Sequence, residues 1–241
     1  LATGVHSSLK QWLHPDVRVF QELVPHELTQ RSAGWLDVII LWRRLTNKSK
    51  ISEIVLATRN PDKIAEIREI VGDLVRLRAV GDYVKVDIPE FGRSLLENSL
   101  TKAAFAYRLC NKPALADDSG LFVDCLAGEP GIYSSRYGRN DKERISRLLR
   151  EIGTEKDRKA AFRVVFVYYY ADGKHRVFEG ECVGRIADAA RGSAGFGYDP
   201  VFVPRGYRKT FAELGPTVKN RISHRARALK KFRGFLIKDG A

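Results

Sequence analysis

The chain has 241 residues, 44% hydrophobic and 29% charged, a balance that excludes the disordered and fibrous classes and allows one large domain or two small ones. Lys and Arg number 42 against 29 Asp and Glu, and the formal net charge of +13 favours acidic partners: phosphorylated small molecules, nucleic acid or an anionic membrane face. The 3 cysteines (Cys110, Cys125, Cys182) lack CxxC spacing, which indicates neither a disulfide framework nor a zinc site and fits a reducing cytoplasm, and no apolar run approaches the roughly 20 residues of a membrane span.

Residues 1–50 differ from the rest. They hold Trp12, Trp35 and Trp42 and the histidines His6, His14 and His26, and they end in a basic polar stretch, Arg43 to Lys50, that reads as a linker. Gly34 to Leu45 is predicted as one amphipathic helix with a basic end, without the organisation of a signal peptide. The segment is expected to be an extension with no catalytic part. With Met at 0 and Leu1 at the start, the first residue is expected to belong to a fragment or to a translation from a non-Met codon.

From Ile51 to Ala241 strand-like and helix-like segments alternate, as one domain. Ile54 to Ala57 reads as a short buried strand running into Asn60-Pro61, where the residue before proline is pushed out of the helical region. A helix follows, with Pro61 in its first turn, Ile64, Ile67, Ile70 and Val71 at helical spacing, and Gly72 as its stop. Leu96, Leu100, Ala103 and Tyr107 predict a second helix. Ala161 to Tyr170 is apolar on both alternating faces, the mark of a central strand, and Asp172-Gly173 turns it into a second strand, Arg176 to Val183, so the sheet is mixed. The last helix is predicted to start at Ser223 as N-cap, with Leu229, Phe232 and Leu236 inward and Lys230, Lys231 and Lys238 towards solvent.

Several segments carry chemistry. Thr58-Arg59-Asn60-Pro61-Asp62-Lys63 sits where a strand hands over to a helix, so first-turn amides together with Arg59 and Lys63 would form an anion site. The plain alternative is a capped turn with a solvated lysine. Asn98 and Lys102 share a face of the second helix and Glu97 is offset from them; an ordinary helix start favoured by the dipole is the alternative. Asp117-Asp118 crowds two carboxylates at an expected strand end, a repulsion that a divalent cation relieves, whereas an Asp-Asp-Ser-Gly turn needs no metal. Gly192 to Pro200 is a glycine-rich loop in which Phe196 offers a stacking face; a bulge or connector is its alternative. Ser223-His224-Arg225 opens the last helix with Lys219 four residues earlier, a cluster of donors suited to a phosphate or a base carbonyl, or else a serine cap before solvated basic residues.

Taken in order, Thr58-x-Asn60-x-x-Lys63, Glu97-Asn98-Ser99-x-x-Lys102-Ala103, Ala116-Asp117-Asp118-Ser119-Gly120-Leu121, Pro130 to Tyr137, Gly195-Phe196-Gly197-Tyr198-Asp199-Pro200 and Ser223-His224-Arg225 resemble the inosine/xanthosine triphosphate pyrophosphatase family over about residues 51 to 237. The resemblance implies an α/β fold, a long mixed twisted sheet flanked by helices, with two lobes and a central active-site cleft. It implies magnesium-dependent hydrolysis of ITP, dITP and XTP to the monophosphate and pyrophosphate, in a homodimer. Thr58 to Lys63 would then hold the triphosphate, Glu97 and Asp118 would hold Mg2+, and Asp118 would act as general base. Ser119 would touch substrate, and Phe196, Gly197, Tyr198, Asp199, Lys219, His224 and Arg225 would form the base and ribose side. Leu96 stands where many members carry a second acid and Ser99 where alanine is usual, which leaves Glu97 as the only obvious helix carboxylate for metal.

Two other readings stand beside this one. A related pyrophosphatase for other modified nucleotides is opposed by the Ser223-His224-Arg225 pocket. A basic nucleic-acid-binding protein would use the +13 charge, yet no RNP-like, helix-turn-helix or zinc pattern accompanies it. Neither a nucleic acid nor a membrane is therefore expected as partner.

Overall fold

The structure, a computed structural model, describes residues 53–84, 88 and 92–239. The expectations for residues 1–50, including the Gly34 to Leu45 helix, lie outside the described residues.

β1 (Glu53–Leu56) is a buried strand, and its chain leaves the sheet through Asn60. Asn60 is extended (φ −68°, ψ 115°) and caps α1 (Pro61–Val71), its side-chain oxygen accepting from the amides of Asp62 and Lys63 at 2.9 and 3.2 Å. Pro61 sits in the first turn, where a missing donor costs nothing, and Gly72 closes the helix as its spacing predicts. The chain returns through β2 (Arg76–Ala79), parallel to β1.

α2 (Leu95–Cys110) starts at Ser94, whose hydroxyl accepts from Glu97 N at 3.1 Å. Of the predicted face, Leu100, Ala103 and Tyr107 pack in the core, whereas Leu96 is 41% exposed and Leu95 is buried in its place. The shift arises because Asn98, Ser99 and Lys102 all face the sheet; Ser99 Oγ donates to the Val165 carbonyl at 2.8 Å. Polar anchoring thus shifts only the first turn of the apolar face.

β3 (Ala114–Val123) carries Asp117 and Asp118 in mid-strand, neither at a strand end nor in a turn as their sequence suggests. β5 (Lys159–Ala171) and β6 (Lys174–Ile186) form the antiparallel hairpin expected around Asp172-Gly173, with Gly173 at φ 69° supplying the left-handed turn position. With β4 (Pro130–Gly131) pairing β3 and β7 (Phe202–Pro204) closing the edge, the described strands form one 7-stranded mixed sheet in the order β2-β1-β3-β5-β6-β7.

α3 (Asp141–Ile152) and α4 (Phe211–Ile222), the latter broken at Gly215, pack with β7 and the far end of β3 into a second lobe whose core includes Leu121, Leu148, Phe202 and Phe211. α5 (His224–Asp239) starts on Ser223, whose Oγ accepts from Ala226 N at 3.1 Å, as the cap reading predicts. It lays Leu229, Phe232 and Leu236 against β5, β1 and α1, and keeps Lys230, Lys231 and Lys238 exposed.

The sheet register positions the site. β1 pairs β2 on one side and β3 on the other, so the carboxyl end of β1 is a topological switch point, the usual place for a ligand crevice in such sheets. Pairing of β1 with β3 stops at Leu56↔Leu115, while β3 stays paired to β5 through Asp117, Asp118 and Ser119. Ala116 to Gly120 therefore present one open edge, and side chains from both faces of β3 reach the same crevice.

Candidate active site

That crevice is a cavity of about 460 Å³, bounded by the Thr58 to Lys63 turn, α2, the open edge of β3, the Phe196 to Asp199 loop and the start of α5. Successive residues of β3 serve opposite walls. Asp117 points towards α1 and α5, with Lys63 Nζ at 2.9 Å and Arg225 Nη2 at 3.6 Å. Asp118 points towards α2, where Asn98 Nδ2 donates to its Oδ2 at 2.9 Å and Lys102 Nζ lies 3.6 Å from Oδ1. The Asn98 amide is itself oriented, because its Oδ1 accepts from Gly92 N at 2.8 Å and so leaves the NH2 group to face Asp118.

The wall from α1 and α5 is a buried ion network. Glu66 lies one turn beyond Lys63 on α1; its Oε1 is 2.9 Å from Lys219 Nζ and its Oε2 accepts from Arg225 Nη1. Lys219 also meets Asp199 Oδ2 at 2.5 Å and lies 4.1 Å above the Phe196 ring. Arg225, 2% exposed, donates to Ser119 Oγ at 3.3 Å and stands 5.7 Å from the same ring. Asp199 accepts from Phe196 N at 2.9 Å, and Gly197 N donates to Asp141 Oδ2 at 2.6 Å, so both ends of this loop are held. Tyr198 OH donates to the Ser134 carbonyl at 2.9 Å and anchors the loop on the second lobe.

Burial and charge set the protonation states. Burial alone would raise the carboxyl of Asp117, but Lys63, Arg225 and Lys102 outweigh it and hold it well below the usual range. Burial also opposes ionisation of Glu66, and there Arg225 and Lys219 win, lowering it. At Asp199 burial prevails over Lys219 and the carboxyl is pushed up. His224, 4% exposed, is held well below the ordinary imidazole value by burial first and then by Arg225 and Lys219, so the ring is neutral near neutral pH. It stacks on Phe162 with ring centroids 4.8 Å apart and planes 10° from parallel. His224 Nδ1, Arg225 Nε and Asp117 Oδ1 are buried without a hydrogen-bond partner among the described residues. Buried polar atoms left in this way call for ligand or solvent atoms to complete them.

Most residues singled out in the sequence come together. Thr58, Arg59, Asn60, Lys63, Asp118, Ser119, Phe196, Gly197, Tyr198, Asp199, Lys219, His224 and Arg225 all line the cavity. Pro61 and Asp62 do not; they form the exposed first turn of α1. The first-turn amides of Asp62 and Lys63 are already taken by Asn60, so the anion-binding capacity of this turn rests on its cations rather than on those amides. Glu97 lies outside the cavity lining, exposed at the start of α2, with its Oε2 accepting from Arg93 N at 2.7 Å. Glu66 joins the site unanticipated by the sequence; Asn98 and Lys102, noted there only as sharing a helix face, hold Asp118, and Asp117, expected to crowd its neighbour around a cation, is paired with Lys63 and Arg225 instead. The i,i+3 spacing from Lys63 was the available signal for Glu66, and the Asp-Asp pair for Asp117.

The donor set can be tested against magnesium. Among the described residues no group of three or more His, Cys, Asp or Glu side chains converges. Magnesium is normally held by one or two carboxylates plus substrate phosphates and water rather than by a protein cage. Asp118, which faces the cavity, fits that chemistry, whereas Glu97 stands outside the lining. No described helix is long and apolar enough to cross a membrane.

The model of the Ham1 family matches residues 54–235. A dITP/XTP pyrophosphatase of Thermosynechococcus vestitus is 43% identical over 190 residues, 77% of this chain and 95% of the relative. One from Thermus thermophilus is 45% identical over 183 residues, covering 74% and 88%. Among solved structures, a HAM1 protein from Coxiella burnetii superposes with a TM-score of 0.73 at 38% identity, over 78% of this chain and 99% of that one. The Staphylococcus aureus Ham1 protein does so with a TM-score of 0.71, also at 38% identity, over 77% and 98%.

Proposed function

The chain belongs to the Ham1 family, and from that premise we propose that it is a nucleoside triphosphate pyrophosphatase hydrolysing ITP, dITP and XTP to the monophosphate and pyrophosphate. The observation that carries this reading is that a single cavity is lined both by Lys63 and the Thr58 to Asn60 turn and by the Phe196 ring, the neutral His224 and Arg225. A purine ring stacks on Phe196 while its triphosphate reaches Lys63.

Arg225 presents only donors, and its guanidinium is fixed by Glu66 and Ser119. A 6-oxo purine places an acceptor against those donors, whereas the 6-amino group of adenine places donor against donor. A buried polar group left unpaired in this way rejects the wrong substrate by large factors. Asp118 is the base that takes the proton from the attacking water, with Asn98 holding its orientation. Asp118, with Glu97 from the start of α2, would hold magnesium together with the substrate phosphates. Such an ion would supply charge neutralisation for the leaving pyrophosphate, and the Lys63 ammonium contributes the same stabilisation from the protein.

The protein acts as a homodimer in the cytoplasm; the first point rests on the family resemblance, the second on the few cysteines, all free (Cys110, Cys125, Cys182). The test is pyrophosphate release from ITP, XTP, dITP, ATP and GTP, with and without magnesium. Selective, magnesium-dependent release from the first three is expected. Equal release from ATP would sink the base-side assignment.

A further inference from the structure

The N-terminus of α5, which carries His224 and Arg225, rests on the sheet. A β-carbon placed on Gly180 of β6 would lie 2.0 Å from the carbonyl oxygen of His224 and 2.9 Å from Ala228 N, closer than such atoms approach in proteins. The first turn of α5 therefore sits on a point of β6 that lacks a side chain. Lys231 Nζ, two turns along α5, donates to the carbonyl of the neighbouring Glu179 at 2.7 Å and pins the helix there. On the adjoining strand Phe162, opposite Cys182 in the register, supplies the flat surface on which the His224 ring lies at 4.8 Å.

We infer that Gly180 and Phe162 form a seat that sets the depth of the α5 N-terminus, and that Gly180 is thereby a positioning residue for purine discrimination. A side chain at 180 would need about 1 Å more room to bring the contact from 2.0 Å to the 3.0 Å that real β-carbons respect, and on this inference the room comes from lifting His224. Arg225 follows, and its 3.3 Å contact with Ser119 is at hydrogen-bond range only while the helix is fully down. The cost falls first on the base side, since the backbone that meets Gly180 is that of His224 and Ala228, while Lys63 is reached only indirectly, through the Asp117 carboxylate that it shares with Arg225.

The inference builds on the pyrophosphatase reading, and the experiment separates the two. kcat/KM for ITP and ATP is measured on the wild type, Gly180→Ala, Phe162→Leu and, as a control, Leu236→Ala, which loosens the far end of α5. In Gly180→Ala the value for ITP should fall about a hundredfold, the scale expected of a 1 Å misplacement. The value for ATP should fall much less, so that the ITP:ATP ratio collapses. Leu236→Ala should lower the melting temperature and leave the ratio unchanged. An unchanged ratio in folded Gly180→Ala, or an equal collapse in Leu236→Ala, overturns the inference. If Gly180→Ala does not fold, Phe162→Leu decides; because Phe162 also lines the cavity, a lowered ratio supports the seat only with a displaced His224 in its crystal structure, and a lowered ratio with His224 in place, or an unaltered ratio, refutes it. If the wild type does not hydrolyse ITP, the pyrophosphatase reading fails by itself. The seat is then judged from the crystal structure of Gly180→Ala, where a raised His224 supports it and a bent β6 under an unmoved His224 rejects it.

Discussion

Asp117 and Asp118 are consecutive on β3 and turn to opposite walls of one cavity, the first to Lys63 and Arg225, the second to Asn98 and Lys102. Alternation along a strand separates their side chains, and the open strand edge beside them lets both serve the same space. The repulsion suggested by adjacent aspartates is thus relieved by separation and by lysines on each side. Asp117 is a buried structural anion for the cationic wall, and Asp118 is the carboxylate that lines the cavity.

Asp118→Asn should reduce kcat for ITP by a factor of about 10² to 10⁴, the range for losing a positioned general base. The amide can keep a contact to Asn98, so the melting temperature should stay close to that of the wild type. Unchanged turnover in a folded variant would remove Asp118 from the role of base.

Glu66→Gln removes the anion shared by Lys219 and Arg225, and breaking such a buried pair should cost about 3 kcal/mol. The pH dependence has a definite sign. The folded-state pKa of Glu66 lies below its ordinary value of 4.5, so its contribution is full above that pH and is lost as pH falls through the lower folded value. Denaturant titrations between pH 3 and 7 should show the wild-type advantage shrinking below about pH 4.5. Parallel curves for the two proteins would contradict the ionised Glu66 at the centre of the network.

His224 should remain neutral at pH 6, read from its ring nitrogen shifts by NMR, because burial and the neighbouring Arg225 and Lys219 oppose its protonation. Its folded value is depressed, so the unfolded chain takes up a proton first and stability declines as pH falls through about 6.5. His224→Gln should lose that component. A midpoint at or above the ordinary imidazole value would show that the ring is solvated or paired with Asp117.

Chelation of magnesium should abolish pyrophosphate release and leave the fold intact, since the buried acids are neutralised by lysine and arginine side chains. Glu97→Gln should raise the magnesium concentration needed for half-maximal rate, with little effect on KM for ITP at saturating metal. A variant with wild-type metal dependence would leave Asp118 as the sole protein carboxylate on the ion.

Local signals in the chain are legible where the physics is local. Asn60-Pro61 as a helix start, Gly72 as a stop, Ser223 as a cap and Asp172-Gly173 as a hairpin turn each depend on a few neighbouring residues and their backbone preferences. The first turn of the α2 face is not, with Leu95 buried in place of Leu96, because it is shifted by polar contacts from Asn98, Ser99 and Lys102 to strands far away in the chain.

The sequence by itself determined the order of elements, the family to which the motifs belong and the residues that gather at the cavity from separated segments. Tertiary structure alone decided which carboxylate faces which wall, that Glu66 joins Lys219 and Arg225, and that the first turn of α5 comes down on Gly180, a strand position without a side chain. The physical reason is range. Caps, turns and periodicity arise from interactions within a few residues, whereas the pairing of Glu66 with Arg225 spans 159 positions and exists only once sheet register and helix packing have brought them together.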